Sequence, residues 1–288
     1  MQSYIVPSGG KGGWNGQGDA AMARGLGARM GVVAMAVAAA ACAAPAADGV
    51  APVALTWEKA RIGIPARYTG SGVVLGRRTD GAVKRALAGL APGLRIPTVL
   101  YVHGCSGFGN SGRAYAAALL DAGYAVVAPD SFARPGRPRT CDPRRHVTDV
   151  ARRVIGAVRA MRIAEIRYAL ERIGELAWVD RDNLFLLGHS QGGTAAAQYK
   201  GPGFKARVVS GSRCTRGIGA AAAEPVLAVY SLRDPWFKNP AIRNCRQRAE
   251  GKTVETLELP GAVHLVVKVA EARDAILDFL ARHTDRRR

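Results

Sequence analysis

Five residues past the middle of the chain, Gly188-His189-Ser190-Gln191-Gly192, restrict its fold more than any other stretch. The run before them, Leu184-Phe-Leu-Leu187, is wholly apolar, and the run after them, Gly193-Thr-Ala-Ala-Ala197, favours a helix. A short apolar strand turning directly into a helix is one unit of a parallel sheet buried on both faces. Gly-x-Ser-x-Gly at that junction allows a very tight turn, because a side chain at either flanking glycine would collide with neighbouring main chain. The turn presents the Ser190 hydroxyl beyond the strand end, beside a helix N-terminus that favours developing negative charge.

The same alternation runs through most of the chain. Strands are read at Thr98–Val102, Tyr124–Ala128, Leu184–Leu187, Ala206–Val209, Val226–Tyr230 and Val254–Leu259. Helices are read at Arg113–Ala122 with Gly123 as C-cap, over Val147–Leu176 with a break near Gly156, and at Gly193–Tyr199, Ala241–Ala249 and Glu271–Arg282. Before residue 97 the pattern is weaker. Val53–Trp57, Ile64–Tyr68 and Val73–Leu75 read as outer strands, and Arg78–Leu90 as a short helix or a hairpin connection. The expected class is α/β, a mostly parallel central sheet flanked by helices in a three-layer αβα sandwich. With 288 residues, one such domain over 45–288 accounts for the chain after an N-terminal extension of 1–44. Ligands of these sheets bind beyond the C-terminal strand ends.

A serine hydroxyl needs a base to take its proton, and the base needs an orienting acid. In this architecture the acid and then the histidine follow the serine along the chain. Of the 5 histidines, only His264 and His283 come after the last strand, and His283 lies in a charged tail. His264, in Pro260-Gly-Ala-Val-His264, is the expected base. Asp234, in Tyr230-Ser-Leu-Arg-Asp234-Pro-Trp236, follows the penultimate strand and is the expected acid. Glu224 precedes that strand, at the wrong end of the sheet, and Asp274 and Asp278 fall in the last helix. Two backbone N–H groups should form an oxyanion hole, those of Gln191 and of Cys105 in the loop His103-Gly-Cys-Ser-Gly107. A metal site from His103, Asp130, His189 and His264 lacks compact ligand spacing. Cys105 has no elbow of its own to act as nucleophile. The glycines at 104, 107 and 109 form neither a dinucleotide fingerprint nor a phosphate loop.

The N-terminal extension carries Met22-Ala-Arg-Gly-Leu-Gly-Ala-Arg29, then an apolar run from Met30 to Ala44. Basic residues, a short apolar segment and small residues make an export signal, with cleavage after Ala43 or a few residues later. Such signals begin near their basic residues, which points to a start at Met22 or Met30. Ala39-Ala-Ala-Cys42 faintly resembles a lipoprotein box, so lipidation at Cys42 is the minority alternative to a periplasmic or secreted protein. Export permits disulfides among Cys105, Cys141, Cys214 and Cys245. Three pairings exist in principle, and the sequential one, Cys105–Cys141 with Cys214–Cys245, is expected.

The formal net charge is +19. The arginines are scattered over solvated faces, with a dense run only at Arg286–Arg288, and no basic stretch is interleaved with aromatics. No specific nucleic-acid partner is expected, and weak association with anionic surfaces is the most that this charge implies.

These residues together resemble the dienelactone-hydrolase-like branch of the α/β hydrolases. The resemblance covers about residues 95–285 and rests on His103-Gly-Cys-Ser-Gly107, Ala128-Pro-Asp-Ser-Phe132 with Arg134, Gly188-His-Ser-Gln-Gly192, Asp234 and His264. It implies the α/β-hydrolase fold, no cofactor, and a small-molecule ester as substrate. It also places the Asp130-Ser-Phe132 segment at the active-site mouth, where Arg134 either meets a substrate carboxylate or forms a structural salt bridge. Dienelactone hydrolases carry cysteine in the elbow; Ser190 here favours a broader ester substrate over a cyclic dienelactone. The expected activity is carboxylic ester hydrolysis through an acyl-enzyme. Peptide or amide hydrolysis by the same fold, and a non-catalytic exported binding protein, are the alternatives. Oligomeric state is left open.

Overall fold

A computed structural model describes residues 52–148, 150–237, 244–249 and 251–285. The export signal, Cys42, residues 241–243 of the expected helix and the terminal arginine run lie outside the described residues.

Eight strands form one sheet: β1 (Arg61–Ile64), β2 (Val74–Arg77), β3 (Ile96–Val102), β4 (Ala125–Ala128), β5 (Val179–His189), β6 (Ala206–Ser210), β7 (Val226–Ser231) and β8 (Val254–Leu259). Their order is β2-β1-β4-β3-β5-β6-β7-β8. The pairs from β4 through β8 are parallel, whereas β1 is antiparallel to both β2 and β4. After β4 the chain crosses β3 to lay down β5 on its far side. The β3–β5 boundary is therefore the topological switch point, and the crevice above their C-terminal ends is the natural ligand site.

Consecutive residues of a strand point to opposite faces, and here both faces are covered. Val99, Tyr101, Phe185 and Leu187 join one apolar layer with Leu119 of α4 (Gly109–Asp121) and Phe279 of α7 (Ala270–Arg282). Leu100, Val102, Leu184 and Leu186 join the other with Ile166 of α5 (Arg152–Ile173) and Ala195 of α6 (Gln191–Gln198). Burial on both faces explains why these strands read as continuous apolar runs rather than alternating ones.

Several expected boundaries differ. Val53–Trp57 is not a strand: Ala54–Glu58 is a short helix, α1, with Thr56 and Trp57 buried. Strand β1 ends at Ile64, and Ala66–Thr69 turns as helix α2 behind Pro65. Arg78–Leu90 resolves as the helix α3 (Gly81–Ala88). Helix α5 starts at Arg152 and passes through Gly156 without a break. Of the expected 241–249 helix, the described part is only a single 3₁₀ turn at Arg246–Arg248. Among the described residues no helix is long and apolar enough to cross a membrane.

Candidate active site

The turn between β5 and α6 holds Ser190 at φ 57° and ψ −116°, a conformation non-glycine residues rarely adopt. The flanking glycines make it feasible. A Cβ at Gly188 would run into the Gly192 carbonyl, and one at Gly192 into the Val102 carbonyl of β3. The Ser190 N–H donates to Ser210 O of β6 at 2.9 Å, and Thr194 N–H returns to Ser190 O at 2.9 Å.

The loops after β7 and β8 bring Asp234 and His264 to this serine. His264 Nδ1 lies 2.7 Å from Asp234 Oδ2, and its Nε2 lies 2.9 Å from Ser190 Oγ. A carboxylate only accepts, so Nδ1 carries the proton and Nε2 offers its lone pair to the serine hydroxyl. Asp234 is buried, and its second oxygen accepts the Trp236 N–H at 2.9 Å. The imidazole is flanked by Trp236, with ring centres 5.3 Å apart, and by His189 at 5.0 Å. His189 is wholly buried, which pushes its pKa down to about 3, with His264 nearby adding to the shift.

The structure also shows residues that sequence reasoning missed. Ser231 binds the two loops together: its hydroxyl donates to Gly261 O and accepts from the N–H groups of Arg233 (3.2 Å) and Val263 (3.3 Å). Behind Ser190, Tyr115 links the His189 ring to the Ser210 hydroxyl. Nothing in local sequence marks either residue, because each acts through partners remote in the chain.

Gln191 opens α6, so its N–H has no carbonyl of its own helix to donate to. Its side chain is pinned: Arg137 donates to Oε1 at 2.7 Å, and Nε2 donates to Thr140 at 2.7 Å. Gly104 packs against Ser190, where an added Cβ would come 3.3 Å from the serine Cβ. The next residue, Cys105, is disulfide-bonded to Cys141, and Cys214 to Cys245, which is the sequential pairing. Cys105 is therefore a fixed point of the loop and carries no free thiol.

Behind the 103–105 loop lies a buried polar cluster. Arg162 donates to Glu165 at 2.8 Å and to the His103 carbonyl at 2.9 Å. Glu165 accepts from Ser131 at 2.9 Å, and Ser131 accepts from Arg137 at 2.9 Å. His103 accepts the Ser131 N–H at Nε2, so its Nδ1–H donates to the Gly104 carbonyl at 2.8 Å. Burial, and next to it the Arg162 charge, push the His103 pKa well down, so the ring is neutral. Arg134 lies 3.6 Å from Glu165 and 3.4 Å from the Met161 carbonyl. Of its two expected roles the salt bridge is the one observed, and Arg134 lines neither cavity at Ser190. Glu224 is bidentate to the buried Arg207, at 2.6 Å on each oxygen, away from the serine. Among the described residues no three His, Cys, Asp or Glu side chains gather into a metal cage.

Two cavities open on Ser190. One, of about 500 Å³, is lined by His264, His189, His146, Asn110 and Arg113. The other, of about 210 Å³, lies on the Gln191 side, with Thr194, Ile155, Arg159, Arg216 and Phe237. Cys105 and Trp236 line both.

Among solved structures the chain is similar to m3DLH, with 18% identity, TM-score 0.51, and coverage of 78% of this chain and 98% of that one. It is also similar to a dienelactone hydrolase-like promiscuous phosphotriesterase from metagenomic libraries, with 17% identity, TM-score 0.50, and coverage of 77% and 97%. Est1E from Butyrivibrio proteoclasticus aligns with 13% identity and TM-score 0.49 over 78% of this chain and 93% of that one. No curated protein sequence matches the chain. Residues 99–285, the stretch from β3 to the end of the described chain, match the sequence pattern of the Alpha/beta hydrolase family. The protein belongs to the Alpha/beta hydrolase family.

Proposed function

We propose that the protein is a serine hydrolase that cleaves carboxylic esters through an acyl-enzyme. The observation that carries this reading is the chain of two hydrogen bonds from Asp234 through His264 to Ser190, 2.7 and 2.9 Å long, ending on a hydroxyl at a strained turn. His264 takes the Ser190 proton as Oγ attacks the ester carbonyl. The N–H groups of Gln191 and Cys105 stabilise the oxyanion, each contributing about 3 kcal/mol to the transition state. Protonated His264 gives its proton to the leaving alcohol, and the acyl-enzyme remains. Water then attacks the acyl carbon with His264 again as base, releasing the acid and restoring Ser190–OH. Asp234 holds the imidazole tautomer and stabilises the imidazolium throughout. One ester and one water give one acid and one alcohol, with no redox change.

The reading extends to location. Two disulfides support an oxidising compartment, and with it export directed by the segment Met22–Ala44.

Activity-based labelling with a fluorophosphonate tests the proposal. The parent protein should label, Ser190→Ala should not, and His264→Ala should label far more slowly. A folded parent that does not label would replace this reading with that of a binding protein on a hydrolase scaffold. A panel of esters, amides and peptides then separates the esterase reading from a peptidase.

A further inference from the structure

The two cavities at Ser190 differ in chemistry, and the difference bears on the substrate. His264 delivers the proton to the leaving alcohol, so the alcohol leaves through the 500 Å³ cavity that His264 lines. The acyl part then occupies the 210 Å³ cavity, which His264 does not line. That volume is below the roughly 300–1,000 Å³ usual for small-molecule sites, so the acyl chain is short.

The walls of this cavity are Ile155, Trp236 and Phe237, with the hydroxyls of Thr140, Thr194 and Thr215 between them. Arg159 on α5 and Arg216 in the loop after β6 also line it. Among the described residues no acidic side chain lines it, and neither arginine has a carboxylate within ion-pair distance. Arg159 is partly desolvated and feels the Arg216 charge, and both effects pull its pKa down. An anion bound between the two like charges would relieve their repulsion. The Cys214–Cys245 disulfide fixes the main chain two residues before Arg216, at a residue with φ 52°. Arg216 also borders an outer groove of about 690 Å³, with Arg167 and Lys200 and, among the described residues, no acidic one. Its field would steer anions toward the cavity.

Resting on the reading that Ser190 is acylated, we infer that the preferred substrates are esters of short acids whose acyl chain ends in a second, free carboxylate, held by Arg159 and Arg216. Planar guanidinium forks match a carboxylate well, and the threonine hydroxyls can donate to its remaining lone pairs. Hydrolysis of such a half-ester adds one water and releases a dicarboxylate and an alcohol.

The test compares monoethyl succinate with ethyl isocaproate, its neutral isostere, near neutral pH. The parent should favour the anionic ester in kcat/KM by at least about tenfold. Arg159→Gln and Arg216→Gln should each bring that ratio close to one, mainly through KM. Arg172→Gln removes the same charge from an exposed pair with Glu175 elsewhere on α5, and it should keep the ratio. A parent ratio near one, or an equal fall in R172Q, overturns the inference. Binding is read independently of turnover by calorimetric titration of Ser190→Ala with monoethyl succinate. Affinity lost about tenfold on adding R159Q supports the site, and no measurable binding to S190A overturns it. Fluorophosphonate labelling separates the two proposals. A labelled parent with a ratio of one keeps the serine hydrolase and removes the anion site. Binding to S190A without labelling of the parent does the reverse.

Discussion

His189 is the last residue of β5, next to Ser190, sealed from water and packed on Tyr115 and His264. Burial first, and the His264 charge second, depress its folded pKa to about 3, against about 6.5 in an unfolded chain. Below pH 6.5 the unfolded chain therefore takes up a proton that the folded protein refuses. The contribution of this histidine to stability is complete above about pH 6.5 and is lost as pH falls toward 3, by up to about 1.4 kcal/mol per pH unit. His103, also driven down by burial, works in the same direction. Guanidinium unfolding at pH 7 and pH 4 checks this. His189→Gln should remove about 3 kcal/mol of the stability difference between the two conditions. An unchanged difference would mean that other groups control the acid limb. Chain order and strand position pick out Ser190, Asp234 and His264 because each follows a strand end. Ser231, Tyr115 and Arg137 stay hidden because their partners lie remote in sequence.

At the scale of elements, the clearest design is the path from α5 to the head of α6. On α5 Arg162 holds Glu165, Glu165 holds Ser131, Ser131 holds Arg137, and Arg137 holds the Gln191 side chain. Burial next to Arg162 depresses Arg137 to about 10, still charged at neutral pH, and its guanidinium also stacks on Phe132. Removing this strut frees the residue whose N–H is assigned to the oxyanion. Arg137→Met should lower kcat about 10–100-fold with little change in KM, because the loss falls on the transition state. Arg137→Lys should not restore it, since one ammonium cannot span Ser131 and Gln191. A pure KM effect in steady-state kinetics would refute the strut. The same helix shows where sequence reading fails. Gly156 suggests a break, yet α5 continues through it, because its neighbours favour helix and nothing crowds the position. An added Cβ there meets open space, so Gly156→Ala should raise stability by about 0.5–1 kcal/mol in denaturant unfolding. At Val53–Trp57 the apolar run is too short for periodicity to separate strand from helix. From β3 onward the strands are legible, because burial on both faces writes them as unbroken apolar runs between turns.

For the whole molecule, the two disulfides do more than shorten the unfolded chain, since Cys105 lines the cavities at Ser190 and Cys214 directly precedes the lining residues Thr215 and Arg216. Cys105–Cys141 ties the loop of the proposed oxyanion donor to the segment of Thr140, which receives the Gln191 amide, and Cys214–Cys245 ties down the loop of Thr215 and Arg216. The bridges span 36 and 31 residues, for which loop closure accounts for about 4 kcal/mol each. At about 2–4 °C per kcal/mol for a domain of this size, losing either bridge should lower Tm by roughly 8–16 °C. If stability were all they supply, the two double variants would behave alike below their melting points. Their positions say otherwise. Well below Tm, Cys105→Ala with Cys141→Ala should lose kcat on every ester, because the proposed donor at residue 105 is no longer fixed. Cys214→Ala with Cys245→Ala should keep turnover of neutral esters and lose preference for the anionic one, because Arg216 is no longer held. Thermal melting and paired kcat/KM measurements on both variants decide between these outcomes, and identical activity profiles would reduce the bridges to their effect on the unfolded chain.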